Sequence, residues 1–302
     1  MFKSFLMIFS VVFIMFLLGS FYYMQIQQDA SFVTASFNNS FPSYTTTQLQ
    51  FYPNMRFPSS NISYRIVDCS LEKSSNMIDA FNFIADQTVL EFYSVDDGQE
   101  ITVTCGSEIK ESEQGFFIAG EGGPTNITST DRYNVISSGK VLLLRESRCP
   151  QSNIGIHELL HVLGFDHSTE SRSIMYPISS CSQVVTEDIF QAIDAVYQDP
   201  SYADLAFRNV SAELNDGYLN VRFTVTNQGL VSSSSTVIDI SSGDWKIDSV
   251  ELDPLVVGYG RIVKLTNVRL FPHSIENITF TIQNTSAEIE TANNEVTLSV
   301  IR

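Results

Sequence analysis

His157-Glu158-Leu159-Leu160-His161-Val162-Leu163-Gly164-Phe165-Asp166-His167 decides how this 302-residue chain is read. On a helix, positions i and i+4 share a face, so His157 and His161 present their imidazoles to one point. Glu158 stands one step round the helix, near that point without being needed as a ligand. Gly164 tolerates the left-handed conformation that ends a helix and turns the chain, which brings His167 back as a third nitrogen ligand. Three imidazoles leave the fourth position of a tetrahedral zinc ion to water, as in catalytic rather than structural zinc sites. Zinc lowers the pKa of that water towards about 7, so Glu158 can act as general base for attack on a carbonyl. A single histidine is usually an ordinary polar residue. Here three of the chain's four histidines fall within one eleven-residue run, and the chance of that full spacing at any one position is on the order of 10⁻⁸. Accident is set aside.

Around this motif, residues 58–200 mix strands and helices. Tyr64-Arg65-Ile66-Val67 and Ile101-Thr102-Val103-Thr104-Cys105 predict strands, as do the segments 116–119, 133–136 and 140–144. Met77, Ala80, Phe81, Ile84 and Ala85 fall on one helical face. A helix is expected from about residue 152. Another is expected over 187–197, with Thr186 as its N-cap and Glu187 and Asp188 in its first turn. This is an α+β domain. Beyond residue 201 the helical pattern stops. Leu219, Val221, Phe223 and Val225 alternate with polar residues, and Ile278, Phe280 and Ile282 repeat the alternation, then Val296, Leu298 and Val300. Six or seven strands over residues 201–302 predict an antiparallel β-sandwich.

The first 28 residues differ from the rest. Lys3 is followed by an uncharged apolar run over residues 4–28, and about 20 apolar residues span a bilayer core. One positive charge precedes the run, and the next charge after it, Asp29, is acidic. The expectation is a single-pass cell-membrane anchor (residues 1–28) with the N-terminus in the cytoplasm and both domains outside. The alternative is a cleaved signal peptide and a secreted protein. Residues 29–57, rich in Ser, Thr, Asn and Gln, read as a stalk or linker with little regular structure. Four cysteines, none in a C-x-x-C pair, suit an oxidising compartment. With 34 acidic and 17 basic residues the net charge is −17, so nucleic acid is an unsuitable partner.

H-E-x-x-H-x-x-G-x-x-H followed by a Met-turn resembles the metzincin metallopeptidases. Ser173-Ile174-Met175-Tyr176-Pro177, together with Ser168 directly after His167, resembles the matrixin branch. The resemblance covers residues 58–200, most strongly 154–197. It implies a metzincin-type domain with a mixed twisted sheet, zinc ligands His157, His161 and His167, general base Glu158, and Met175 as an apolar floor beneath the metal. It also implies hydrolysis of an extended peptide, gripped by main-chain pairing to an edge strand, which is expected at Gly115-Phe116-Phe117-Ile118-Ala119-Gly120. Leu160 departs from the Gly usual in matrixins before the second histidine. No histidine precedes His157, so the family's additional structural zinc is not expected. The Gly-rich turn Gly120-Glu121-Gly122-Gly123-Pro124 is a weak candidate for calcium, with one carboxylate beside it. No Cys precedes Cys69, so latency through a cysteine switch is not expected.

Residues 201–302 resemble the CARDB type of immunoglobulin-like domain through Ala203-Asp204-Leu205, Phe223-Thr224-Val225-Thr226-Asn227-Gln228-Gly229 and Glu290-Thr291-Ala292-Asn293-Asn294. That resemblance implies adhesion or spacing rather than chemistry. Four cysteines allow three disulfide connectivities. Cys149–Cys181 with Cys69–Cys105 is favoured, since Cys149 precedes the zinc helix and Cys181 follows the Met-turn, and both must converge on one metal. The combined expectation is a zinc metalloendopeptidase acting on extracellular or cell-surface proteins. The alternative is a surface adhesion or binding protein whose metzincin domain is inactive.

Overall fold

The computed structural model describes residues 13–17, 30–36, 49–111, 118–147, 149–270, 275–283 and 286–301. The chain divides into two compact units, one of Phe41–Ala203 with Gln228–Ser232, the other of Met1–Ser40, Asp204–Asn227 and Ser233–Arg302. The motif-bearing unit is thus an insertion, in sequence, between the first strand of the other unit and the remainder of it.

Strand β1 (Ala30–Ser36) belongs to the β-rich unit; the α+β unit starts with β2 (Met55–Arg56). It continues through β3 (Asn61–Val67), α1 (Leu71–Gln87), β4 (Glu91–Ser94), β5 (Ile101–Cys105), β6 (Gly120–Ser129), β7 (Asn134–Leu143), α2 (Asn153–Val162) and α3 (Glu187–Val196). The sheet order is β2-β7-β5-β3-β4, all parallel, with β6 antiparallel on the other side of β7. Among the described strands β6 pairs only with β7, so its outer backbone is an edge. Helix α1 starts at Ser70, whose side chain accepts from the Lys73 N–H at 3.3 Å, and it buries Met77, Ala80, Phe81 and Ile84. That apolar stripe packs with Ile62, Val103, Val141, Ile156, Leu159 and Leu160 into one core. Thr186 is the N-cap of α3 but makes no side-chain capping bond. Strand β4 has no periodic signal in sequence: its one core contact is Phe92, against Phe81.

The β-rich unit comprises β1, β8 (Leu205–Asn215), β9 (Tyr218–Asn227), β10 (Thr236–Ser242), β11 (Trp245–Leu252), β12 (Gly260–Arg269), β13 (Asn277–Gln283) and β14 (Glu295–Ile301). They form one antiparallel sheet in the order β11-β10-β13-β14-β1-β8-β9-β12. Phe223 of β9 and Phe280 of β13 are four places apart in that order, yet their rings lie 5.4 Å apart. The sheet therefore folds over on itself, and the alternating apolar faces meet inside. Asp204, fully buried, accepts from Asn293 Nδ2 at 2.7 Å and ties the start of β8 to the turn before β14.

Residues 29–57 differ from the expectation of little regular structure. Residues 30–36 pair with both β14 and β8, and Phe32 packs against the apolar core of that unit. Two strand edges lacking partners supply what the short, polar sequence does not signal. Residues 49–57 also carry strand β2 and contacts to the histidine motif. The expected membrane span at residues 4–24 lies outside the described residues except for 13–17, which are helical. No helix among the described residues is long and apolar enough to cross a membrane.

Candidate metal centre

Helix α2 is buried on nearly every side, with Ile156, Leu159, Leu160 and Val162 fully enclosed. Leu160 occupies this core, where matrixins usually have Gly. The helix ends at Gly164, whose φ of +96° is the left-handed conformation expected of it. The Phe165 N–H donates to Leu160 O at 3.0 Å and the Gly164 N–H to His161 O at 3.0 Å, the paired bonds of a Schellman C-cap. A side chain at residue 164 would also collide with Met55, at 2.8 Å. The chain reverses there.

That reversal brings the three histidines together. His161 Nε2 lies 3.0 Å from His157 Nε2 and 3.1 Å from His167 Nε2. On the far side of each of the first two rings, Nδ1–H donates to a backbone carbonyl, His157 to Ile174 at 2.6 Å and His161 to Phe165 at 2.8 Å. A carbonyl only accepts, so these bonds fix the tautomer and leave Nε2 with its lone pair facing inward. Burial holds His157 below the usual histidine range. Burial, then the neighbouring His157, push His161 down to about 4. Neutral imidazoles aiming lone pairs at one another repel unless a cation lies between them. Ligands of a tetrahedral zinc ion with bonds of 2.0–2.1 Å sit roughly 3.3 Å apart, close to the separations seen. The donor set therefore fits zinc. Among the described residues it is the one grouping of three or more His, Cys, Asp or Glu side chains able to share an ion.

Met175 is buried and lines a pocket together with His167. Its carbonyl accepts from the Ser168 N–H at 2.8 Å, tying the Met-turn to the residue after His167. The carbonyl of Ile174 in the same turn is what orients His157. Glu158, also buried, faces strand β6, and burial, then Glu121, push its carboxyl up to about 8. The contact with β6 is close: a Cβ on Gly120 would lie 2.8 Å from the Glu158 side chain, and one on Gly122 only 2.3 Å from Glu158 O. Gly120-Glu121-Gly122-Gly123-Pro124, expected as a turn suited to calcium, is instead the first half of β6, paired with Leu143–Gly139 of β7. Glycines two apart put their bare faces on the helix. Glu121 meets Lys110 at 3.0 Å.

The edge expected at 115–120 begins at Gly120; residues 115–117 lie outside the described residues, and 118–119 are not strand. A cleft of about 590 Å³ joins this edge to the metal cluster, lined by Gly120, Gly122, His157, Glu158, Tyr176 and Ile178 among others. Its far wall is pinned. Cys149 is bonded to Cys181, Asn153 Nδ2 donates to Ser180 O at 2.9 Å, and buried Gln183 donates to Ile178 O at 2.9 Å. Cys69, two residues past the end of β3, is bonded to Cys105 at the end of the neighbouring strand β5. Both pairs are those favoured from the sequence. The orienting carbonyls of Ile174 and Phe165 leave no trace in side-chain identity, and Phe51, stacked on His161 at 5.8 Å, lies in a stretch without periodicity. For the glycines a signal existed: their period of two.

Residues 56–198 match the family model described as Matrixin, the M10 peptidases. The match runs from Arg56 in β2 to just beyond the end of α3, and the activity of that family is zinc-dependent peptide hydrolysis. Among solved structures, the chain is similar to the CARDB domain of a Pyrococcus furiosus protein, determined with two metal ions. Identity there is 14%, the alignment covers 32% of this chain and 87% of that one, and the TM-score is 0.25. So slight a likeness bears no weight for the fold.

The packing of β6 on α2 yields a paired test. Gly122→Ala places a methyl group against backbone that cannot move aside, and should lower stability by roughly 1–3 kcal/mol. Gly123→Ala, with nothing within 4 Å of the added Cβ, should stay within about 0.5 kcal/mol of the parent. Denaturant unfolding of the two variants separates them; equal midpoints would mean that β6 does not lie against Glu158.

Proposed function

We propose that the chain is a zinc metalloendopeptidase that hydrolyses peptide bonds of extracellular or cell-surface proteins. The observation that carries this reading is the convergence of three histidine Nε2 atoms beside a buried carboxyl group, in a cleft that opens along a free strand edge. His157, His161 and His167 would hold the ion. When bound, zinc supplies Lewis acidity and makes a neighbouring water more acidic. The chain's own residues do the rest. The outer backbone of β6 offers main-chain pairing to an extended peptide of any sequence, leaving selectivity to side-chain pockets along the cleft. Glu158 takes the proton of the attacking water and passes it to the departing amide nitrogen. Gly120 admits that carboxylate, and Gly122 the backbone of Glu158, close to the strand on which the substrate lies. Tyr176 and Pro177 of the Met-turn, with Ile178 after it, line the same cleft.

In this reading the N-terminal run anchors the protein in the cell membrane, with both units outside, where the two disulfides persist. The β-rich unit acts as an adhesive or spacing element. A second partner is thus the bilayer itself, and nucleic acid is not among the partners.

Two measurements test the proposal. Glu158→Gln should retain zinc and the fold while lowering peptide cleavage by about 10²–10⁴-fold; near-parental turnover would remove Glu158 from the chemistry. Mass spectrometry of the protein from its host membranes should find an intact N-terminus. A mature terminus between residues 21 and 40 would instead identify a cleaved signal and a secreted enzyme.

A further inference from the structure

Residues 49–55 lie ahead of the segment matched by the matrixin family, yet they hold the turn that carries the third histidine. Gln50 and Phe165 form an antiparallel bridge. The Phe51 N–H donates to Gly164 O at 2.9 Å, and the Asp166 N–H donates to Leu49 O at 2.8 Å. These two bonds grip the backbone on both sides of Phe165. Its carbonyl is the acceptor that orients His161, and its chain leads through Asp166 to His167. The ring of Phe51 stacks on His161 with an interplanar angle of 22°.

The gripping segment is itself fixed. Gln50 Oε1 accepts from the Met55 N–H at 3.1 Å and Gln50 Nε2 donates to Met55 O at 2.7 Å, closing residues 50–55 into a loop. Asn134 Nδ2 donates to Pro53 O at 2.8 Å, and Asn54 Nδ2 to Arg132 O at 3.0 Å, so the loop is fastened at the start of β7. The chain of contacts runs from the sheet, through residues 50–55, to the turn and both of its histidines.

We propose that residues 49–55 are a positioning strap for the metal site: Gln50 and Phe51 act through Phe165 on His161 and His167, without touching the ion or the substrate. This rests on the three histidines being metal ligands. Partners that orient metal ligands typically alter affinity by 10–100-fold when removed, and a strap should do likewise. A segment that merely adds stability should not.

The test uses the full chain with three substitutions, Gln50→Ala, Phe51→Leu and Phe51→Tyr, and zinc itself as probe. Chelator competition should give zinc dissociation constants raised about 10–100-fold for Gln50→Ala and Phe51→Leu and close to parental for Phe51→Tyr. The visible absorption of the cobalt-substituted protein should shift in the first two variants. Amide exchange at residues 164–167 of the metal-free protein should quicken in the same two. Unchanged zinc affinity and an unchanged cobalt spectrum would overturn the proposal, whatever happens to the melting temperature. A parent chain that took up no zinc would overturn the metal reading instead. In that event faster exchange at 164–167 in Gln50→Ala would still support the strap, and unaltered exchange would overturn it.

Discussion

Two imidazole nitrogens with inward lone pairs, His157 Nε2 and His161 Nε2, lie 3.0 Å apart, and His167 Nε2 lies 3.1 Å from the second, a crowding that requires something positive to share. Much of the α+β unit is arranged around that requirement. Two rings are fixed through backbone carbonyls, one from the Met-turn and one from the turn after α2. The turn in its own right depends on one residue, Gly164, with a backbone conformation and a contact with Met55 that a side chain would both oppose. Ligand geometry is therefore a property of the backbone. The histidines supply the nitrogens; the carbonyls and one glycine decide where they point.

The same economy of side chains governs the approach of the sheet. Strand β6 lies on α2 because Gly120 and Gly122 present no Cβ towards Glu158, and Gly139 of β7 gives way in the same manner to Val162. Close packing brings a free strand edge beside a buried carboxylate and the metal ligands, which is the juxtaposition a peptide-cleaving site needs. On the opposite side of the cleft, the Cys149–Cys181 bond, Asn153 and Gln183 hold the loop after the Met-turn. In the chain-entropy picture, closing a loop of about 30 residues stabilises by roughly 3–4 kcal/mol. Both walls are built to stay in place.

Much of this is legible in the residues alone, because the chemistry is concentrated. His157, Glu158, His161, Gly164 and His167 occupy one helix and one turn, where spacing translates directly into geometry, and the apolar faces of α1 and β9 follow their periods without interruption. Long-range pairing is different. Ser31, Phe32 and Val33 look like linker until the edges of β14 and β8 are known, and residues 49–55 gain their meaning only from the turn they grip. Gly120 to Gly123 carried a signal that pointed two ways: glycines in a cluster suggest a turn, whereas glycines at every second position suggest a strand pressed against a helix. Which applies depends on α2, far along the chain.

The chemistry of the α+β unit depends on what His157, His161 and His167 hold. X-ray absorption at the zinc edge of the zinc-loaded full chain reads this directly. Three imidazole nitrogens and one oxygen at about 2.0–2.1 Å, one zinc per chain, are the predicted result. Sulfur scattering at about 2.3 Å, or fewer than three imidazoles in the coordination sphere, would contradict it.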